Sequence, residues 1–303
     1  MAAMTATLPN KDAARATALK LYSGEVITAF REKNMGLNLV KNRSITGGKS
    51  SQFIVTGKAL EGDIQTHVRG EEVIGKVLAN DEVVIAISSR YVHTHFLDGL
   101  DKDITQYEAT SELAFQSGEV LATKIDKDIF AELGNVTPAF TPLPGQVAAG
   151  TVVATGYTAA VGAKAKGDII VEAMFEARGN LDEKNVTDSA VFVTAPEKYY
   201  ELVQSGAINK DYTTNNGGLD SGNIAMVAGI PIMWTNHLDT TTNPKLIGIM
   251  FTKDVMAVVT AMSMTSEVNY DYRRLGWQYT SYYALGMGTL NPTGLELIND
   301  DSV

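Results

Sequence analysis

The chain has 303 residues, 45% of them hydrophobic, and a net charge of −10, enough for about two domains with an ordinary core. Cysteine is absent, which excludes disulfides, thiolate metal sites and cysteine nucleophiles. No window carries the roughly 18 apolar residues of a spanning helix, and the opening MAAMTATLPNKDAARATALK lacks the apolar core of a secretory signal, so a soluble product with no membrane partner is expected.

The charge is unevenly spread. Through residue 60 there are nine basic residues and three acidic ones, a balance of +6 that leaves −16 for the remainder. A basic arm on an acidic body predicts contact with an anionic surface, either a second copy of the chain or a polyanion.

The first predicted helix runs from about Ala13 to Phe30, with Leu19, Tyr22, Val26 and Phe30 forming one apolar stripe. From Ile45 to about Tyr91 the pattern becomes extended, with six glycines between Gly47 and Gly75 and few large apolar residues before Val83-Val84-Ile85-Ala86-Ile87. A segment with so little to bury predicts a long ribbon that lies on something else, since an isolated hairpin is only marginally stable. Next comes a helix from about Ile104 to Leu133, in which Ile104, Tyr107, Ala114, Gly118, Leu121, Ile125 and Ile129 share one sector. Thirty residues at about 1.5 Å each give a rod of about 45 Å. Asp98, Asp101 and Asp103 precede it as start signals, and Gly134 follows as a stop.

After a turn-rich connection between Thr137 and Gly150, Asp168–Arg178 reads as helix, Ala190–Val193 as a buried strand and Pro196–Gln204 as a short helix with proline near its start. Ile224–Trp234 reads as two strand-like pieces broken by Gly229. Leu246–Phe251, Ala257–Val259, Val268–Tyr272 and Trp277–Tyr283 complete a β-rich segment expected to pack on the long helix.

Few residues gather into a chemical site. Gly48-Lys49-Ser50 matches the end of a phosphate loop, but Arg43 holds the place of the first glycine, and an extended Gln52–Gly57 follows where a helix is required. This leaves two readings: a soluble α/β nucleotide-binding enzyme built on those residues, or the base of a β-ribbon. His93 and His95 would share one strand face but lack a third metal ligand. Trp234, Trp277, Tyr279, Tyr282 and Tyr283 read as core rather than as a base-stacking platform. Neither a nucleophile elbow, a dinucleotide fingerprint nor a zinc-protease pair occurs. No catalytic, cofactor or metal residue is assigned.

Four blocks carry a resemblance to a known family: Leu21–Phe30 (LYSGEVITAF), Arg43–Phe53 (RSITGGKSSQF) with Val55 and Gly57, Tyr107–Ala122 (YEATSELAFQSGEVLA), and Tyr283–Gly288 (YALGMG) with Leu290 and Pro292. In these the chain resembles the major capsid proteins of T7-like tailed phages, which have the HK97 capsid fold. The fold class the resemblance implies is α+β: residues 1–44 an N-terminal arm, 45–91 the extended loop, 92–140 with 245–303 the peripheral domain with its spine helix, and 141–244 the axial domain. It also implies self-assembly as hexamers and pentamers into an icosahedral shell of T=7 type, with a scaffolding protein, a portal at one vertex, weak non-specific contact with packaged double-stranded DNA, and a virion formed in the host cytoplasm. An encapsulin-like compartment shares the fold and stands as the alternative. Arg43, Lys49, Lys58, Glu61, Glu71 and Glu72 are the candidate intersubunit contacts.

Overall fold

The computed structural model describes residues 11–87, 90–100, 109–136, 143, 145–186, 189–205, 226–238 and 245–300. Helix α1 (Lys11–Lys33) leads through a short α2 (Gly36–Leu39) into β1 (Lys41–Ser44). The expected stripe is the buried one: Tyr22, Val26 and Ala29 are inaccessible to solvent, with Leu19 packed beside them. They press on α3 (Ala109–Asn135), a rod of about 40 Å. Ile104, Tyr107, Asp101 and Asp103 lie outside the described residues; Asp98 accepts a hydrogen bond from the Leu100 amide at 2.8 Å.

Two strands of 16 and 14 residues, β10 (Met256–Asp271) and β11 (Gly276–Thr289), form a long antiparallel hairpin. β1 adds to one side in parallel and β4 (Arg90–Asp98) to the other antiparallel, giving the order β1-β10-β11-β4. One face of this sheet carries Val268 and Tyr279 against α1 and α3. The sequence pieces at 257–259, 268–272 and 277–283 thus belong to two continuous strands. Irregular pairing between Thr260 and Thr265, within a run of Ser, Thr and Met, hides their continuity.

A second sheet of six strands has the order β5-β12-β9-β6-β8-β7. Its members are β5 (Gly150–Ala154), β6 (Ala190–Thr194), β7 (Met226–Val227), β8 (Ile230–Trp234), β9 (Leu246–Thr252) and β12 (Leu295–Asp300). β9 and β12, grouped on sequence with the peripheral span, hydrogen-bond between β5 and β6, so this sheet draws on both spans. On one side it is covered by α4 (Ala163–Glu183) and α5 (Pro196–Gln204), through Ile170, Met174, Leu181 and Leu202 against Phe192, Met250 and Ile298. On the other, Val193, Ile249, Phe251, Leu295 and Leu297 meet Leu121, Ile125, Ile129 and Leu133 of α3. Every residue of β9 is buried, as expected of a strand covered on both faces. α5 has the bounds read from the sequence; α4 begins five residues earlier than Asp168, because its first turn is built from small and polar residues that give no apolar signal.

β2 (Ser50–Thr56) and β3 (Asn80–Ala86) pair only with each other, as a two-stranded antiparallel ribbon.

Candidate assembly surface

The ribbon leaves the body at Gly47 and Gly48, whose φ values of +87° and +96° suit glycine and disfavour residues with a side chain. The base is seated on the β10–β11 hairpin. Ile85 is buried with Ala257, Val259 and Leu290, with Phe53, Val55 and Val83 against them. Gly286 makes that approach possible: a Cβ there would stand 2.5 Å from the Ala86 carbonyl oxygen. Arg43 folds back on its own ribbon, where Nη1 donates to the Gln52 carbonyl at 3.0 Å and the guanidinium lies 5.3 Å from the centre of the Phe53 ring. The Lys49 carbonyl accepts from the Ile87 amide at 2.7 Å while its side chain is exposed. Ser50 opens a strand, so the Gly-Lys-Ser turn is not followed by the helix N-terminus whose fixed dipoles cradle phosphate in a phosphate loop.

On the far side the ribbon base touches the loop ahead of β5. Gln146 Nε2 donates to the Thr56 carbonyl at 3.3 Å, Lys58 Nζ reaches the Lys184 carbonyl at 3.5 Å, and Gly145, at φ +80°, packs against the Lys58 backbone too closely for any side chain.

Beyond Lys58 the ribbon's hydrogen bonds and ion pair among the described residues are its own. Lys76 pairs with Asp63 at 2.8 Å and reaches the Gly62 carbonyl at 3.2 Å, and Gln65 Nε2 donates to the Ile74 carbonyl at 2.9 Å. The Lys76 hydrogen bond, then the Leu60 amide, hold the Asp63 carboxyl below its usual range. The expectation of few apolar residues here is corrected. Aliphatic side chains are frequent but stand in solvent: Ile54 is 80% exposed, Ile64 79%, Ile74 70% and Val77 97%, with Val68 and Val73 also exposed. A period-2 reading misses them because they alternate irregularly with glycine and charge along residues 57–79, which contain only one short 3-10 turn, Glu61–Asp63. So extensive an exposed aliphatic surface is uncommon on a solitary subunit. Glu61, Glu71 and Glu72 are exposed on the same segment, and none of the six candidate contacts forms an ion pair with another described residue.

Two buried carboxylates that sequence reading passed over fix the body from which the ribbon projects. Asp126, inaccessible to solvent, accepts from the amides of Met35 (3.1 Å) and Gly36 (2.9 Å), where the arm turns from α1 into β1, and from His237 Nδ1 (3.2 Å) beyond β8. Glu296 of β12, equally buried, pairs with Lys184 at the end of α4. The signal for Asp126 was an acid beside the apolar sector of a long helix. Trp234 is half exposed, unlike the core residue expected, whereas Tyr279, Tyr282 and Tyr283 are buried. Among the described residues no three acidic or histidine side chains gather as metal ligands, and no helix is long and apolar enough to cross a membrane.

A spine helix between two sheets, with a basic arm and a projecting ribbon, is the HK97-like architecture of phage shells. The capsid structure of Cyanophage P-SCSP1u superposes with a TM-score of 0.74 over 88% of this chain and 87% of that chain, at 24% identity. The mature capsid of bacteriophage PhiM1 gives 0.69 over 89% and 88%, at 14% identity. The major capsid protein of Escherichia phage T7 is 28% identical over 232 residues, 73% of this chain and 65% of the T7 protein's length. Residues 53–295 match the Gp10A-like major capsid protein family, and the chain belongs to it.

Proposed function

We propose that this chain is the shell-forming subunit of a tailed double-stranded DNA phage, a structural protein and not an enzyme. The observation that carries the reading is the ribbon, whose distal aliphatic residues are covered by no layer among the described residues. In a ring, one patch of each copy meets a different patch of the next, and a ribbon lying across its neighbour supplies such a heterologous contact. The arm (1–44), ribbon (45–91), peripheral unit and axial unit then divide the work: the axial units meet around hexamer and pentamer axes, and ribbon and arm bind neighbouring copies. Exposed ion pairs are worth only about 0–1 kcal/mol each, so early contacts stay reversible and errors can be corrected. Buried area of about 2,000 Å² or more closes the shell afterwards. A scaffolding protein, a portal at one vertex and weak, non-specific inner contact with DNA complete the assembly, which takes place in the host cytoplasm. The family match lies with phage major capsid proteins, which favours a genome-holding shell over an encapsulin-like compartment.

Sizing of the purified protein with electron microscopy tests this. Megadalton shells or ring-shaped capsomers are expected; a stable monomer that binds ATP through Lys49 overturns it. Lys49 and Lys58, exposed and without an ion-pair partner among the described residues, are proposed to face acidic groups on the adjacent copy. Charge reversal of both should abolish normal shells at moderate salt, and shells of unchanged yield and diameter refute that pairing.

A further inference from the structure

β4 is an edge strand of the four-stranded sheet, and His93 and His95, two residues apart, share its inner face. Their rings meet edge to face with centroids 4.4 Å apart. The protonation pattern around them follows from one hydroxyl. Ser117 Oγ on α3 donates to the Leu113 carbonyl at 2.7 Å, so its hydrogen is committed and its oxygen can only accept. It lies 3.1 Å from the Tyr22 hydroxyl of α1 and 3.3 Å from His93 Nδ1, so both of these donate and the His93 proton sits on Nδ1. Tyr22 then accepts from Ser281 at 3.2 Å, and Ser281 from Ser266 at 3.0 Å. A one-way chain of hydrogen bonds thus joins the sheet, α1 and α3 at Ser117. His95 Nε2 is buried with no hydrogen-bond partner among the described residues.

Among the described residues the surrounding charges offer this pair no counter-ion. On α3, Glu112 is bonded to Gln116, Glu119 pairs with Lys33 of α1, and Lys124 pairs with Asp128. On α1, Lys20 and Arg31 are exposed and Glu25 is half-buried. On β10, Glu267 accepts from Tyr282 and Asp271 lies by Arg274 at the hairpin turn. β11 contributes only tyrosines. On β4 itself Arg90 stacks on Tyr282 and Asp98 caps the Leu100 amide.

We propose that His93 and His95 form an acid-sensitive joint, which loosens α1 and the first turns of α3 from the sheet as the pH falls below neutrality. A proton on either ring places a cation in a half-buried seam where no described carboxylate accepts it, and a second proton adds a like charge against the first. Water entering between β4 and α3 relieves both. Ser117 is bonded to His93 and to Tyr22 alike, so separation there also frees α1. Burial lowers the affinity of both rings for protons, and the His93 charge lowers that of His95 further. The sign follows: a base held below its unfolded value of about 6.5 contributes its full stability above that pH and loses it as pH falls, by up to about tenfold in the opening equilibrium per histidine per pH unit.

Hydrogen exchange of the full chain at pH 7.5, 6.5 and 5.5, corrected for intrinsic rates, tests the joint in free subunits and in particles alike. Exchange at residues 19–33 and 110–118 is expected to accelerate about tenfold or more between pH 6.5 and 5.5, with β9 and β12 unchanged. In the variant His93→Asn/His95→Phe, the amide nitrogen replaces the Nδ1 donor and the phenyl ring fills the space of the His95 ring, so this acceleration should vanish while pH 7.5 behaviour is retained. Wild-type exchange at residues 19–33 that ignores pH, or acceleration that persists in the double variant, overturns the proposal. If the double variant does not fold, His95→Phe alone decides: a slope of log rate against pH reduced by about half supports the joint, and an unchanged slope refutes it.

Discussion

Gly118 shows how one missing methyl group sets the distance between two helices. It sits in mid-helix on α3, and a Cβ there would lie 2.7 Å from the Val26 carbonyl, 2.8 Å from Ala29 Cβ and 3.0 Å from the Phe30 amide. Gly118→Val should push α1 away and cost about 1–3 kcal/mol by overpacking, measured by denaturant unfolding of the isolated subunit. The helical wheel placed Gly118 in the apolar sector, but nothing in one chain's sequence says how close the neighbouring helix comes. Buried acids were less legible still. Asp126→Ala leaves the Met35 and Gly36 amides without their acceptor; a loss of about 2–4 kcal/mol is expected, with faster proteolysis near residues 34–38 as its local sign. Lys184→Met strands the Glu296 carboxylate inside the molecule and should cost about 3–5 kcal/mol in the same assay.

At the level of elements, legibility followed the strength of the local signal. α5 was readable because proline marks its start and its apolar residues keep helical spacing; β9 was readable as an unbroken apolar run. The β10–β11 hairpin was read in fragments, since its middle pairs irregularly and carries polar side chains on an exposed face. The ribbon was recognised from its glycines, while its aliphatic cover was overlooked, because exposure is a property of what surrounds a segment and not of its composition. This separates stability from assembly. Ile74→Asp and Val77→Asp alter side chains already in solvent, so subunit unfolding should shift by no more than about 0.5 kcal/mol, yet shell formation should fail. Gly286→Ala should likewise leave a folded subunit but tilt the ribbon off its seat, with aberrant or absent particles by electron microscopy.

For the whole molecule, the order β5-β12-β9-β6-β8-β7 places the strand nearest the C-terminal end of the sheet's sequence beside the strand nearest its beginning. β5 pairs along its length with β12 alone, about 145 residues further on. A nascent chain emerging from the ribosome therefore keeps Gly150–Ala154 without its partner until Leu295–Asp300 has been translated, and with it Leu297 and Ile298 are missing from the cores on either face of the sheet. Polypeptides interrupted upstream of Leu295 would keep the β10–β11 seat of the ribbon but lack β12, the strand that joins β5 to β9. Translation order thus acts as a filter: the six-stranded sheet cannot close until Leu295–Asp300 has been made.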